Sequence, residues 1–512
     1  MSTATDPLTA AGLAAAPEQT YARDLDGLVA RVTGAPAREP HVLRLNRGLA
    51  QQLGAGDEGL RVLEGPEGAR LLTGIEAFGG IEPLAMAYAG HQFGGFSPLL
   101  GDGRALLVAE FVDVHGRRCD LHLKGSGRTP FSRGGDGKAA LGPVLREHVM
   151  GEAMHALGVP TTRALAVVLT GETVPRDATA ERGAVLARVA ASHLRVGTLQ
   201  LPASRGLHED VRRVADHAIQ RHYPHLLEIP VDDGERYRAF FAAVRDRQAG
   251  LVAQWMSLGF VHGVLNTDNV TLSGETIDYG PCAFIDAYDP AAVFSSIDRD
   301  GRYAFGQQPV ITHWNLARLA ETLLPLMTPE GDDEARVATA VQLLEEFSAA
   351  YATAWTARMR AKLGLTESVC NEHEDRQLAT DLHDLMAAQR LDFTRTFRSL
   401  SRVVRGDRSA LRDECTDLEA VDAWLAAYES RAAREEASVD ERAVAMDATN
   451  PVYIPRNHLV DEAIIAGRGG DLGPYDRLLE VLADPFTERP GLDAYAQPAP
   501  DSFGPFVTYC GT

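Results

Sequence analysis

Two oxygen-bearing side chains on either side of a short apolar segment are the residues of this sequence best placed to do chemistry. Asn269 ends one loop, and Asp278 follows it after an apolar run at residues 270–272 and a Ser-Gly-Glu turn. This pattern predicts a small β-hairpin that holds both side chains at the ends of paired strands. Amide and carboxylate oxygens are ligands that magnesium prefers, so the pair can share one such ion, as triphosphate chemistry requires.

The run Gly101-Asp102-Gly103-Arg104 is the second chemical signal. It precedes residues 105–112, an apolar run that predicts a strand. Glycines ahead of a strand let backbone amides approach phosphate oxygens that a Cβ would block. A plain tight turn has the same composition, so both interpretations stay open.

Lys124 lies one hairpin later, on the polar face of a strand predicted over residues 119–124, where apolar and polar residues alternate. An isolated strand lysine is normally exposed to solvent. If this ammonium group meets phosphates instead, a carboxylate on the helix predicted over residues 138–157 should position it. Glu147 and Glu152 are the candidates, and at about 100° per residue they point roughly 140° apart. Only one of them can face the lysine, and we prefer Glu147; for either, a solvated helix glutamate is the alternative.

The surrounding elements predict an α+β fold. Residues 163–169, 173–176 and 184–189 read as further strands, with residues 170–172 as a turn. Most of the remaining chain has helical spacing, at residues 43–53, 208–223, 235–258, 313–326, 334–363, 377–397 and 420–434. We divide the chain into an N-terminal extension (1–75), a small sheet-containing lobe (76–200), a helical lobe (201–400) and a C-terminal helical extension (401–512).

The charge balance argues against a nucleic-acid-binding surface. The chain has 71 acidic and 50 basic residues and a net charge of -21, whereas such surfaces are basic. A protein this acidic must concentrate its Lys and Arg residues locally to bind an anionic nucleotide. No segment has the roughly 18 consecutive apolar residues of a membrane-spanning helix. The first 23 residues fit neither a secretory nor a transit signal, so we expect a cytoplasmic protein without a membrane partner.

The segment around Asn269 resembles the catalytic loop of protein kinases, H-R-D-L-x-x-x-N followed by D-F-G. His262 and Asn269 are in register, and Asp278-Tyr279-Gly280 corresponds to the metal-binding triplet. Where kinases carry the Asp that receives the proton of the substrate hydroxyl, this chain has Val264. Three explanations stay open: an inactive pseudokinase, a base supplied from elsewhere such as Asp268, or a different reaction at the nucleotide.

Longer runs resemble the SelO family of protein adenylyltransferases, from about Val42 to the C-terminus. These runs are residues 88–94, 123–130, 136–137, 186–190, 192–197 and 294–309. The resemblance implies a protein-kinase-like bilobal fold, with a small antiparallel-sheet lobe, a large helical lobe and extensions at both ends. It also implies a nucleotide flipped relative to that of kinases, so that AMP is transferred to protein hydroxyls. A further matching run, residues 450–457, is interpreted as a packing turn.

The resemblance implies a nucleotide site, whose residues are Gly101, Gly103, Arg104, Lys124, Asp136, Gly137, Glu147, Arg188, Arg195 and Asp278. Asp136 and Gly137 would line the flipped base or ribose. Arg188 and Arg195 would clamp the terminal phosphates, because the planar guanidinium group donates paired hydrogen bonds and stays charged.

By the same resemblance, Asn269 and Asp278 hold Mg²⁺ or Mn²⁺, and Asp268 accepts the proton of the attacking hydroxyl. The expected substrates are ATP, with UTP as a possible UMP donor, and proteins with accessible Ser, Thr or Tyr. Family members carry Cys or selenocysteine near the C-terminus, which implies a redox-sensitive disulfide between Cys282 and Cys510. Two alternatives stay open, a noncatalytic nucleotide-binding pseudokinase and an ordinary protein kinase.

Overall fold

One antiparallel sheet forms most of the β part of this α+β protein. The computed structural model describes residues 17–176, 179–231, 234–366 and 372–509. The strands are β1 (Val29–Arg31), β2 (His41–Leu45), β3 (Leu84–Met86), β4 (Gly90–Gln92), β5 (Gly95–Ser97), β6 (Ala105–Val112), β7 (Arg118–Lys124), β8 (Ala139–Ala140), β9 (Arg163–Arg176), β10 (Thr179–Ala190), β11 (Phe260–Val261) and β12 (Ala283–Phe284). The main sheet has the order β1-β3-β6-β7-β10-β9-β2, with β8 paired to β10. β4 pairs with β5, and β11 pairs with β12.

Helices make up most of the remaining described chain. They are α1 (Thr20–Asp24), α2 (Arg47–Gln52), α3 (Asp57–Glu64), α4 (Pro66–Leu71), α5 (Leu141–Ala156), α6 (Val196–Ser204), α7 (His208–His222), α8 (Glu235–Leu258), α9 (Gln308–Met327), α10 (Asp333–Leu363), α11 (Glu372–Gln389), α12 (Phe393–Val404), α13 (Ser409–Arg412), α14 (Leu418–Ala432), α15 (Val439–Thr449), α16 (Asn457–Arg468), α17 (Gly473–Leu482) and α18 (Asp493–Ala496). None of the described helices is both long and apolar enough to cross a membrane.

The register of the central strands positions several polar side chains. β6 has the predicted bounds, and β7 begins at Arg118, next to its predicted start. Lys124 lies opposite Ala105 of β6, and His122 lies opposite Leu107. On the other side of β7, Arg188 of β10 lies opposite His122. The strands that carry Lys124 and Arg188 are therefore direct neighbours.

Packing on both faces explains why β6 and the first half of β9 are apolar almost throughout. Val167 and Val168 are adjacent in β9 and, because strand side chains alternate, face opposite sides of the sheet. Val167 joins the cluster that contains Leu145 of α5, whereas Val168 joins the cluster that contains Leu53 and Leu63. The described part of residues 1–75 also contributes β1 and β2 to the sheet.

Three of the predicted local structures are wrong. Residues 170–172 are not a turn, since β9 runs through them; Gly171 has φ +72° and the register with β10 shifts there, which makes the segment a β-bulge. The helix predicted over residues 377–397 is two helices, because Arg390 has φ +54° and Asp392 caps α12 by accepting from the Arg395 amide. Residues 43–53, predicted as helical, begin with the end of β2.

The hairpin predicted between Asn269 and Asp278 is also wrong. Thr271 bridges Arg195 and Thr276 bridges Thr161, so the two arms pair with other segments. The turn between them is closed by Thr271 Oγ1, which donates to Glu275 O at 2.7 Å and accepts from Glu275 N at 2.9 Å. Alternating β-branched residues favour extended backbone but do not specify its partner.

Candidate active site

The residues to which the family resemblance gives roles in nucleotide binding, metal binding and proton transfer line one cavity of about 660 Å³. They are Gly101, Gly103, Arg104, Lys124, Asp136, Gly137, Glu147, Arg188, Arg195, Asp268, Asn269 and Asp278. The main sheet, helix α5 and the loop between β11 and β12 all contribute to its wall. Segments far apart in sequence thus meet at a single concave surface of a size typical of ligand sites.

Lys124 joins the sheet to helix α5 and to the loop. Its Nζ lies 2.6 Å from Glu147 Oε2 and 2.5 Å from Asp278 Oδ1. Glu152, the other candidate partner, points away and pairs with Arg163 at 2.7 Å. The angular separation of the two glutamates along the helix therefore has the expected effect, and Glu147 is the one that faces the lysine.

Two buried arginines complete the ion cluster. Arg188 Nη1 donates to Glu147 Oε1 at 2.9 Å and to Asp278 Oδ1 at 2.7 Å. Arg195 Nη1 donates to the carbonyl of Asp268 at 3.2 Å and lies 3.8 Å from Asp278 Oδ2. Its Nη2 is buried without a hydrogen-bond partner among the described residues. Arg195 lines the cavity, and a cationic side chain with an unused donor fits an anionic ligand.

Asp278 has an unusual backbone and an unusual carboxyl group. Its φ is +64°, a left-handed conformation that non-glycine residues rarely adopt and that recurs at functional sites. Burial alone would raise its pKa, but Lys124, Arg188 and Arg195 together hold the pKa well below its usual value. Asp278 is therefore ionised and available as a charged ligand at neutral pH.

Hydrogen bonds from His262 shape the loop. His262 is fully buried, and its Nε2 donates to the carbonyl of Ile277 at 2.8 Å, while its Nδ1 accepts from Val264 N at 3.4 Å. Asn269 Nδ2 donates to the carbonyl of Val264 at 2.9 Å. His262 thus connects the start of the loop to Ile277, the residue before Asp278. Val264 contributes only its backbone amide and carbonyl to these hydrogen bonds.

Asp268 is a carboxylate of the same loop as Val264 and can accept a proton. It is 9% exposed, and its Oδ2 accepts from Gln92 Nε2 at 3.2 Å. Its Oδ1 is buried without a hydrogen-bond partner among the described residues. Burial raises the pKa of this carboxyl to about 6, against the opposing effect of Arg195.

The donor set fits a divalent metal that arrives with a nucleotide. The Nδ2 of Asn269 is engaged by Val264, which leaves the amide oxygen as its ligand atom. Asp278 adds an ionised carboxylate, and Asp268 lines the same cavity. The described residues contain no cluster of three or more His, Cys, Asp or Glu side chains suited to a metal. Magnesium commonly has one or two protein carboxylates and takes its other ligands from phosphates and water.

Close approach explains two of the predicted glycines. Gly101 and Gly137 both have φ of +70°. A Cβ would overlap the ring of Phe131 at Gly101 and the backbone of Gly127 at Gly137. Asp136, expected beside the base or ribose, is engaged by Arg176, whose Nη1 donates to Asp136 Oδ2 at 2.8 Å. Arg176 also lines the cavity.

Sequence reasoning gave no role to two residues that shape the cavity, Tyr88 and Gln92. Tyr88 contacts Arg195 with both its ring and its hydroxyl: the guanidinium carbon lies 4.5 Å from the ring centroid, and Nη1 donates to the hydroxyl oxygen at 3.1 Å. Gln92 holds Asp268 as described above. Both belong to the run 88–94 that carried the family resemblance without a role, so that run was the available signal.

The run 450–457 has a defined structural role. Asn457 brackets β12, because its Nδ2 donates to Phe284 O at 2.7 Å and its Oδ1 accepts from Phe284 N at 3.4 Å. Arg456 is fully buried and pairs with Asp286 at 2.6 Å and with Asp392 at 2.7 Å. These contacts hold residues 284–286, which follow the Asp278 loop, in place. The run therefore does more than form a packing turn.

The predicted disulfide partner Cys510 lies outside the described residues. Cys282 is a buried free thiol whose Sγ contacts the carbonyl of Tyr279 at 3.3 Å, and burial raises the thiol pKa to about 12. Thr508 lies beside it in space, since its Oγ1 donates to the carbonyl of Pro281 at 2.8 Å. The described end of the chain therefore reaches the loop that carries Asp278.

Comparisons with known proteins identify the family of this chain. The family profile described as "Protein adenylyltransferase SelO" matches residues 33–483. A relative from Cereibacter sphaeroides, named "Protein nucleotidyltransferase YdiU", is 55% identical over 496 residues, which cover 97% of this chain and 99% of the relative. A relative of the same name from Mycolicibacterium paratuberculosis is 54% identical over 510 residues, 98% of this chain and 100% of the relative. The chain belongs to the SelO family.

Proposed function

We propose that this protein transfers AMP from ATP to Ser, Thr or Tyr hydroxyl groups of other proteins and releases pyrophosphate. The family description and the relatives' name support a protein nucleotidyltransferase. The observation that carries the proposal is the convergence of Lys124, Arg188 and Arg195 on a cavity that also contains Asn269 and Asp278. Three cations in one cavity suit a triphosphate better than any neutral ligand.

In the proposed reaction, the hydroxyl oxygen of the acceptor attacks the α-phosphorus of ATP. A new P–O bond forms, and the bond to the bridging oxygen breaks, so that pyrophosphate leaves with the electron pair. Arg188 and Arg195 bind the departing phosphates and stabilise their growing charge. Asp268 takes the proton of the hydroxyl, since its Oδ1 faces no other donor among the described residues.

Lys124 is proposed to bind phosphate oxygens while Glu147 holds its ammonium group in place. Asn269 and Asp278 would hold Mg²⁺ or Mn²⁺, which neutralises phosphate charge when bound. Gly101, Gly103 and Arg104 would line the phosphates, and Asp136 and Gly137 the base or ribose.

Further parts of the proposal concern the donor and the setting. We include UTP as a donor of UMP, because the phosphate contacts do not depend on the base. We also propose a cytoplasmic location, which is where nucleoside triphosphates are available. The kinase-like bilobal division at residues 76–200 and 201–400, with extensions at 1–75 and 401–512, is supported by the succession of a sheet and a largely helical part.

Incubation of the protein and an acceptor protein with ATP labelled at either the α- or the γ-phosphorus tests the proposal. We expect protein-bound label from the α position and unlabelled protein from the γ position. Label from γ alone would establish an ordinary protein kinase, and intact ATP binding without transfer of either label would establish a noncatalytic pseudokinase. The Asp278→Ala variant serves as the background control.

A further inference from the structure

Two buried side chains without an assigned role lie against the arginines that are proposed to clamp the phosphates. They are Asp102, from the glycine run, and His122, from the middle of β7, and they are 3% and 0% exposed. His122 Nε2 lies 3.1 Å from Asp102 Oδ2. On the other side of the ring, Arg188 Nε donates to His122 Nδ1 at 3.1 Å. The imidazole thus links a carboxylate to a guanidinium group.

The chemistry of this link determines the protonation of His122. An arginine Nε can only donate, so Nδ1 must be the unprotonated, accepting nitrogen. The proton is therefore on Nε2, where it is donated to Asp102, and the ring is neutral. Burial lowers the pKa of His122 against the opposing effect of Asp102, which agrees with a neutral ring. An imidazole held in one tautomer holds its partner in one orientation.

Asp102 is itself fixed and serves the second arginine as well. Its Oδ2 accepts from Met86 N at 3.1 Å, and its own amide donates to Met86 O at 2.9 Å. Its other oxygen, Oδ1, lies 3.9 Å from Arg195 Nη2. A single carboxylate thus acts on Arg188 through His122 and on Arg195 through space.

The link orients Arg188 towards the cavity. With Nε held by His122, Arg188 directs Nη1 to Glu147 and Asp278 at the cavity wall. The back of the His122 ring stacks on His193, with centroids 4.1 Å apart, so the ring cannot tilt freely.

We propose that Asp102 and His122 are positioning residues that orient Arg188 and Arg195 to hold the terminal phosphates of the nucleotide. The inference rests on the proposed function to the extent that the two arginines bind those phosphates. It also gives Asp102 a role within the glycine run. The glycines let the backbone approach the phosphates, and Asp102 supplies the carboxylate that orients the arginines.

Two substitutions of His122 separate its two hydrogen bonds. His122→Gln keeps an amide donor near the Nε2 position and loses the acceptor for Arg188. His122→Asn keeps an acceptor near the Nδ1 position and loses the contact with Asp102. We expect His122→Gln to weaken ATP binding about tenfold, the usual effect of one lost charge-assisted hydrogen bond. The same variant should leave AMP binding within twofold, because AMP lacks the phosphates that the arginines hold, and His122→Asn should bind ATP more tightly than His122→Gln.

Binding of ATP and AMP is measured by calorimetry on full-length protein, with thermal unfolding as the folding control. In an Arg188→Ala background, His122→Gln should have no further effect on ATP affinity. Asp102→Asn, which keeps the shape and the acceptor for Met86 N, should also weaken ATP binding selectively. Equal losses for ATP and AMP, or additive losses with Arg188→Ala, would overturn the positioning role. The labelled-ATP experiment on the wild type tests the proposed function separately. It distinguishes AMP transfer from phosphate transfer, whereas oriented arginines would bind the phosphates of ATP in either kind of enzyme.

Discussion

The ammonium group of Lys124 lies 2.5 Å from Asp278 Oδ1, although the two residues are 154 positions apart in the chain. The same carboxylate oxygen accepts from Arg188 at 2.7 Å. Asp278 therefore pairs with two cations in the cavity and is also a proposed metal ligand. A change at this residue affects both the ion cluster and metal binding.

Asp278→Ala should abolish AMP transfer. The change removes a metal ligand and the shared partner of Lys124 and Arg188, and metal-assisted charge neutralisation is worth several kcal/mol, or about a thousandfold in rate. Transfer of α-label measures the effect, and circular dichroism checks that the fold is retained. Wild-type transfer by this variant would show that the assigned site is wrong.

Glu147 and Glu152 should respond differently to the same isosteric change. Glu147→Gln removes the negative charge that pairs with Lys124 and Arg188. We expect kcat/KM to fall about tenfold to a hundredfold, because the hydrogen bonds to both cations become weaker. Glu152 lies on the far side of α5, where it accepts from Arg163 and from the Ala164 amide at 2.9 Å. Glu152→Gln should therefore lower the free energy of unfolding, by about 1–3 kcal/mol, without changing kcat/KM. Steady-state kinetics and chemical denaturation of both variants distinguish these outcomes, and a reversed pattern would contradict the assignment.

The contrast between Glu147 and Glu152 shows how far sequence reasoning extends. The helical repeat alone separates the two side chains by angle, so the choice needed only the position of Lys124. The pairing of Asp102 with His122 was out of reach, because it depends on the register of β6, β7 and β10, and no local pattern records that register. The predicted turn at residues 170–172 and the predicted hairpin around Thr271 were wrong for the same reason. Local residue preferences do not identify the partner of a strand.

Asp268→Asn should lower kcat without weakening ATP binding. The substitution keeps the shape of the side chain and the contact with Gln92 but removes the proton acceptor. General-base catalysis typically contributes about a hundredfold to ten-thousandfold. Single-turnover transfer measures the rate of transfer, and calorimetry separately measures the ATP dissociation constant, which should stay unchanged. An unchanged kcat would mean that the transfer needs no base and depends on positioning and charge neutralisation alone.

Cys282 and Cys510 are proposed to form a disulfide under oxidising conditions. The support is the contact of Thr508 with Pro281, which brings the described end of the chain beside Cys282. Added oxidised glutathione accepts the two electrons, and both thiols lose their protons. Peptide mapping should then recover a Cys282–Cys510 cross-link that is absent after reduction and in Cys510→Ser, whereas Cys415→Ser should leave it intact. Free thiols at both positions after oxidation would exclude the disulfide.

Lys362 provides a pH-dependent prediction outside the active site. It is 3% exposed, its Nζ lies 4.1 Å from the ring centroid of Phe397, and burial lowers its pKa to about 7. Between about pH 7 and the ordinary lysine pKa of roughly 10.4, the unfolded chain binds a proton that the folded chain lacks. This group therefore makes the free energy of unfolding rise with pH across that window, and its destabilising effect is largest below it.

Lys362→Met should remove this dependence and stabilise the protein at neutral pH. A shift of more than three pKa units corresponds to about 4 kcal/mol, and the lost contact with Phe397 offsets up to about 2 kcal/mol of it. We therefore expect the variant to be about 2 kcal/mol more stable at pH 7 and to lose this advantage towards pH 10. Chemical denaturation at several pH values measures the difference from wild type. Lys138→Met is the control for the same substitution at a part-exposed lysine, which is paired with Glu172 at 2.6 Å. A variant at position 362 whose stability parallels the wild type at every pH would show that Lys362 is solvated and charged in the folded protein.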